Sequence, residues 1–201
     1  MICAKCPGLC ASRTRIVLPD LPEFGRPCRL LVIGEAPGAD EDREGKGFLG
    51  RAGRTLHRLL EEQGLRRGYD YGCANIVRCR PLGNRKPTPL EIENCLPFLA
   101  ETILKTRPQA LLLVGATPTA MICGGGSLSY RISQLRGNGW RATPGMEHRL
   151  LRDALETVYP KVFPMPHTSP LAWNRNAPDG RKWSEVGREQ VRLMAERLQL
   201  C

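Results

Sequence analysis

Leu30-Leu31-Val32-Ile33-Gly34-Glu35-Ala36-Pro37-Gly38-Ala39-Asp40-Glu41-Asp42 is the stretch that decides the reading of this chain. Four apolar residues form a short strand, and Gly34, Pro37 and Gly38 carry the backbone out of it in a tight, fixed loop. That loop holds four acids in a chain whose formal net charge is +10. Carboxylates at a strand end on an otherwise basic protein point to acid-assisted chemistry on a polyanion.

Outward from this stretch, strands and helices alternate. Residues 28–33 read as the first strand and 52–63 as a helix with Leu56, Leu59 and Leu60 on one face and Gly64 as its stop. Residues 73–77 make a short strand that ends in the turn Arg78-Cys79-Arg80-Pro81, and 83–87 form a basic loop. Thr88 caps the next helix, with Pro89 at its first position and Glu91 completing a capping box. Residues 110–114 are near-continuously apolar, as in a strand buried on both faces. A helix over 117–122, a strand over 162–165 and a closing helix over 183–198 complete the pattern. Alternation of this kind predicts an α/β three-layer sandwich, with a central, mostly parallel four-stranded sheet flanked by helices. Sites in such sheets lie beyond the carboxyl ends of the strands. The acidic loop, the Cys79 loop and the His167 loop all follow strands, so they are expected to meet. No repeat or linker divides the 201 residues, and one domain over 1–201 is expected.

Composition narrows the function classes. Thirty Lys and Arg stand against twenty Asp and Glu, a surplus that favours phosphate backbones or anionic membranes. No apolar run is long enough to span a bilayer, and the first residues lack a signal peptide's apolar core. A nucleic-acid-binding protein of the cytoplasm, associated with the nucleoid and without a membrane partner, is the expectation. Nine cysteines, an odd number without a secretory signal, argue against a disulfide framework. Cys3 and Cys6 have the spacing of thiolates that converge on one metal, with Cys10 close behind. Cys79 and Cys95 are further candidates, and Arg78 and Arg80 beside Cys79 are expected to favour its thiolate. Spacing alone leaves an iron–sulfur cluster, a zinc site and scattered buried thiols all open. Cys123 and Cys201 read as core and tail residues.

These residues together resemble the uracil-DNA glycosylases of family 4, the iron–sulfur type. Five pieces match in order: Cys3-x-x-Cys6 with Arg13-Thr14-Arg15; Gly34-Glu35-Ala36-Pro37-Gly38 with Glu41-Asp42; Gly47-Phe48-Leu49-Gly50-Arg51-Ala52-Gly53; Asn75-Ile76-Val77-Arg78-Cys79-Arg80-Pro81 with Gly83-Asn84-Arg85; and His167-Thr168-Ser169-Pro170-Leu171. The family more often has proline where Thr168 stands, and the tail from Leu171 to Asn176 is unusual for it.

The resemblance implies a DNA repair enzyme that flips uracil, or another deaminated base, out of DNA and hydrolyses its N-glycosidic bond, leaving an abasic site. It implies Glu35, Glu41 and His167 as catalytic groups, with Asp42 as a third carboxylate candidate. It implies Gly34, Phe48 and Asn75 around the base, with Phe48 stacking and Asn75 reading the edge. It implies that Arg51, Arg54, Arg85, Lys86, Ser169 and Arg175 face DNA and that Leu171 fills the vacated stack, with Trp173 as its rival. It implies that Cys3, Cys6, Cys79 and Cys95 hold a 4Fe–4S cluster, unless Cys10 replaces Cys3 or Cys6. A monomer acting on DNA is expected. Two other readings remain: an iron–sulfur or zinc DNA-binding module without turnover, and a relative that bonds covalently to uracil-DNA. The latter carries a basic insertion with a reactive histidine after the first motif. Here Gly50-Arg51-Ala52-Gly53 runs straight into the Leu56 helix, and His57 and His148 read as ordinary helix or loop residues.

Overall fold

The computed structural model describes residues 3–23, 26–135, 138–141 and 148–198. In chain order the elements are α1 (Pro7–Ser12), β1 (Leu30–Gly34), α2 (Ala39–Glu44), α3 (Arg51–Glu61), β2 (Tyr71–Asn75), α4 (Pro89–Thr106), β3 (Ala110–Val114), α5 (Ala116–Cys123), α6 (Leu128–Leu135), α7 (Arg149–Val158), β4 (Lys161–Met165), α8 (Pro170–Trp173) and α9 (Trp183–Arg197). The four strands form one all-parallel sheet in the order β2-β1-β3-β4. This is the expected three-layer α/β sandwich, with β1 and β3 in its centre.

Alternation along the strands divides the core in two. Leu31 and Ile33 of β1, with Leu111 and Leu113 of β3, face one layer, where Leu96, Leu99 and Ile103 of α4 meet Leu151 and Leu155 of α7. Leu30, Val32, Leu112 and Val114 face the other, built from Leu56, Leu59 and Leu60 of α3 and from Val191 and Met194 of α9. Both faces of β1 and β3 are therefore buried, which is why these strands lack polar alternation.

Three readings change. The acidic stretch is not all loop, because Ala39–Glu44 is a helix whose first turn carries Asp40, Glu41 and Asp42. Acids there oppose the positive end of the helix dipole. The second strand lies two residues earlier than the apolar pattern suggested, at Tyr71–Asn75, because it takes its register from β1. Helices α6 and α7 were not anticipated. Their buried residues are few, Ile132 in one and Leu151, Ala154 and Leu155 in the other, among largely polar sequence. Cys123 is buried in the core, as expected, whereas Cys201 lies outside the described residues.

The Thr88–Glu91 capping box forms, and the Glu91 carboxylate also takes both arms of the Arg85 guanidinium at 2.8 and 2.7 Å. Arg85, with support from the Thr88 N–H, holds the Glu91 pKa down to about 2. The charged form is thus favoured by folding. Its contribution is full above the ordinary carboxylate range and is lost as pH falls toward 2. Glu91→Ala should lower the thermal midpoint at pH 7 by several degrees, the effect of about 1–2 kcal/mol lost with a cap. In melts at pH 3 the gap between variant and wild type should narrow.

Candidate active site

All four strand ends open into one cleft of about 630 Å³. β1 delivers Gly34 and Glu35, β2 delivers Asn75, β3 leads into Gly115 and Thr117, and β4 leads into His167, Thr168 and Ser169. The topology explains the position. From β1 the chain crosses to β2 on one side, and from β3 it crosses to β4 on the other, so a crevice opens between the ends of β1 and β3. Thr117 spans that crevice and donates a short hydrogen bond from its hydroxyl to Glu35 Oε2. Sequence reasoning missed Thr117, since a threonine in the first turn of a helix carries no signal that separates it from a cap.

The floor of the cleft is crowded. A Cβ on Gly34 would sit 2.5 Å from Asn75 Oδ1 and 2.8 Å from Phe48 Cζ, so only glycine lets the amide and the ring flank this strand end. Phe48 itself has φ 59°, in the left-handed region that non-glycine residues seldom adopt. Among the described residues no protein group hydrogen-bonds the Asn75 side-chain amide or Glu35 Oε1, and both face the cleft half-buried.

The His167 tautomer follows from its neighbours. The Ser169 N–H, which can only donate, gives to His167 Nδ1 at 3.1 Å. A neutral ring therefore carries its proton on Nε2. Burial lowers the His167 pKa, with the Glu35 charge pulling the other way, so the neutral form prevails near pH 7. Thr168 is buried and donates to Ala52 O at 2.8 Å, which ties the loop after β4 to α3.

The two other acids do different work. Glu41 is spent on backbone: Oε1 accepts from the Leu49 and Gly50 N–H groups at 2.8 Å each, and Oε2 from Gly38 at 3.1 Å. Asp42 is buried and accepts from the Thr14 and Arg15 N–H groups. Burial alone would raise the Asp42 pKa, but those bonds outweigh it and the net shift is downward.

Of the expected DNA-facing residues, Arg51, Lys86 and Ser169 line the cleft, and so does Arg85, whose guanidinium is committed to Glu91. Arg175 is exposed outside the cleft lining. Leu171 is 71% exposed on α8, next to cleft-lining Ala172. Trp173 is buried against Gly187, where a Cβ would come within 2.4 Å of its ring, so it is no candidate to enter a DNA stack.

The cysteines gather at a second place. Cys3, Cys79 and Cys95 line a cavity of about 340 Å³. Cys10 Sγ lies 3.4 Å from Cys3 O, and Asn94 Nδ2 lies 3.5 Å from Cys6 Sγ. Among the described residues no group of three or more Cys, His, Asp or Glu side chains is placed to hold a single metal ion. The charge reading at Cys79 is corrected. Burial raises this thiol, and the group opposing that is Arg13, whose Nη1 lies 3.0 Å from Sγ. Arg78 turns instead to Phe98 O and Thr102, and Arg80 to Asn84.

Comparison with known proteins places the chain in a family. The profile of the uracil DNA glycosylase superfamily matches residues 22–188. A type-4 uracil-DNA glycosylase of Thermotoga maritima is 40% identical over 136 residues, covering 68% of this chain and 67% of its own. One from Sulfurisphaera tokodaii is 32% identical over 198 residues, covering 96% of this chain and 80% of its own. A type-5 uracil-DNA glycosylase of Pyrobaculum aerophilum is 31% identical over 139 residues, covering 56% of this chain and 61% of its own. A profile that spans most of the chain, with type-4 relatives at these identities, means that the protein belongs to the uracil DNA glycosylase superfamily and to its type-4 group.

Proposed function

We propose that this uracil-DNA glycosylase draws a flipped uracil into the cleft, cuts its N-glycosidic bond with water and leaves an abasic site. The observation that carries this reading is the convergence of three unspent polar groups, Glu35 Oε1, the Asn75 amide and His167 Nε2–H, beside one aromatic ring. A base must leave the stack to reach them. Phe48 stacks on the flipped ring, and any base has a π-face to offer. Asn75 supplies both a donor and an acceptor. These complement one edge of uracil, whereas the amino group of cytosine meets the wrong partner.

Bond cleavage leaves negative charge on the base and positive charge on the sugar. His167 donates from Nε2 to the base oxygen that gains charge, a preorganised contact made by a neutral ring. Glu35 faces the sugar, with Thr117 holding Oε2 and Oε1 left to orient the water. The role of Glu41 is to hold the loops, since its lone pairs are already engaged by three backbone N–H groups. Leu171 enters the gap in the stack, while Arg51 and Lys86 hold phosphates. Ser169 lies at the cleft rim, and Arg175 adds charge beyond it. The active form is a single copy acting on DNA inside the cell. The covalent alternative finds no support, because α3 begins directly at Arg51 and His57 is turned away from the cleft lining.

The 4Fe–4S cluster belongs to this reading. Cys3, Cys6, Cys79 and Cys95 would hold it, with Cys10 as a reserve. Cys3, Cys79 and Cys95 around one cavity, with no ready single-ion site among the described residues, suit a body of several atoms, and Arg13 offers positive charge to an anionic cluster. Bound there, the cluster would be structural and would fix the loop from Cys79 to Lys86 at the cleft rim.

Incubation with uracil-containing single- and double-stranded oligonucleotides, followed by alkali, should reveal strand breaks at uracil; hypoxanthine and xanthine substrates define the range. Intact DNA binding without abasic sites would sink the enzyme reading. Glu35→Gln should slow excision by roughly 10²- to 10⁴-fold and His167→Ala by roughly 10²- to 10³-fold, with melting unchanged. Gly34→Ala should impair uracil binding by displacing Asn75 and Phe48, measured as a raised KM. The purified protein should be brown and contain iron; colourless, zinc-loaded protein contradicts the cluster.

A further inference from the structure

Behind Phe48 lies a half-buried polar chain that the proposed chemistry does not use. It begins on the edge strand. Asp20 exchanges two backbone hydrogen bonds with Cys73 of β2, at 2.9 and 2.7 Å. Its Oδ2 accepts from Arg67 Nε at 2.6 Å and pairs more loosely with exposed Lys46 at 3.5 Å. The remaining arms of the Arg67 guanidinium reach Gly47 O at 2.6 Å and His57 Nε2 at 2.7 Å. His57 Nε2 is also 3.0 Å from Phe48 O, and Nδ1 is 2.8 Å from the Tyr71 hydroxyl.

Apart from the loose Lys46 pair, the contacts of this chain end at the backbone of Gly47 and Phe48 or at a strand residue. The neutral imidazole can present an Nε2 proton to Phe48 O or an Nε2 lone pair to Arg67. Tyr71, both donor and acceptor, completes either tautomer. Burial first, and the adjacent Arg67 charge second, lower the His57 pKa to about 4, which keeps the ring neutral. Gly53 of α3 admits the Phe48 carbonyl, since a Cβ there would lie 2.1 Å from the oxygen, and His57 follows one turn later. A left-handed φ at a phenylalanine persists only where the surroundings over-determine it.

We propose that Arg67 and His57 are positioning residues that hold Phe48 in its base-stacking conformation, with Asp20 anchoring Arg67 to the sheet. This rests on the reading of Phe48 as the ring that stacks on the flipped base. The pair acts through the backbone at residues 47 and 48, and His57 also meets the Phe48 ring edge-on at 6.5 Å between ring centroids. Lysine at position 67 keeps the charge but has a single nitrogen, which cannot serve Asp20, Gly47 and His57 together.

Two measurements test it. In hydrogen–deuterium exchange, Arg67→Lys should speed exchange across residues 46–51 and leave the strands unchanged. In excision assays it should lower kcat/KM by on the order of ten- to a hundredfold, the scale of a small misplacement. His57→Gln, which retains an amide to meet Phe48 O, should fall less. In the F48A background, Arg67→Lys should cost nothing further. Wild-type exchange at 46–51, or an equal loss in both backgrounds, overturns the proposal. If the unmodified protein excises nothing, the glycosylase reading falls, while the exchange data still judge whether Arg67 holds the segment. Should Arg67→Lys not fold, His57→Phe is carried through the same two measurements, with faster exchange expected and wild-type exchange overturning.

Discussion

One carboxylate holds the cleft together. Glu41 accepts from the N–H groups of Gly38, Leu49 and Gly50, and so pins the start of α2 to the start of α3. Hydrogen bonds to an ionised acceptor are stronger than neutral ones, and here three converge on a single group. Glu35 lies before that staple and Phe48 lies within the loop it closes. Their spacing, and hence the room for a flat ring between strand and loop, depends on it. The capping geometry does a second job by placing a negative charge at the positive end of a six-residue helix that would be marginal alone.

The acidic cluster on a basic chain thus resolves into separate tasks. Glu41 binds loop to loop. Asp42 binds α2 to Thr14 and Arg15, just beyond α1 and the first cysteines. Asp40 meets Arg43 on the surface, where an exposed pair contributes little. Glu35 keeps Oε1 for the cleft. Net charge says where a polyanion is drawn; it does not say which acid meets it, because backbone N–H groups compete for carboxylates as effectively as a substrate does.

How much was legible follows from what each signal depends on. β3 and the α4 capping box are written in contiguous residues, and both were readable. The cleft was readable too, because strand–helix alternation fixes where strand ends collect. Short α2 was obscured by the glycine and proline before it, and α7 by its polar face. The roles of Thr117, His57 and Arg67 depend on partners 82, 9 and 47 residues away, respectively, which no local pattern reports. Arg85 and Trp173 show the same limit from the other side. An arginine in a basic loop reads as free until Glu91 is seen to hold it, and a tryptophan beside an exposed leucine reads as a wedge until the core claims it.

The convergence of all four strand ends has a consequence for how the protein comes into being. The Thr117–Glu35 contact joins residues 82 apart, and the Thr168–Ala52 contact joins residues 116 apart. Parallel strands cannot pair until the intervening crossover has formed, and such long loops close late and slowly. During synthesis Glu35 emerges well before His167. A nascent fragment that stops short of the loop after β4 lacks one of the two, so the cleft gains its last wall only when β4 docks against β3 and the sheet is complete.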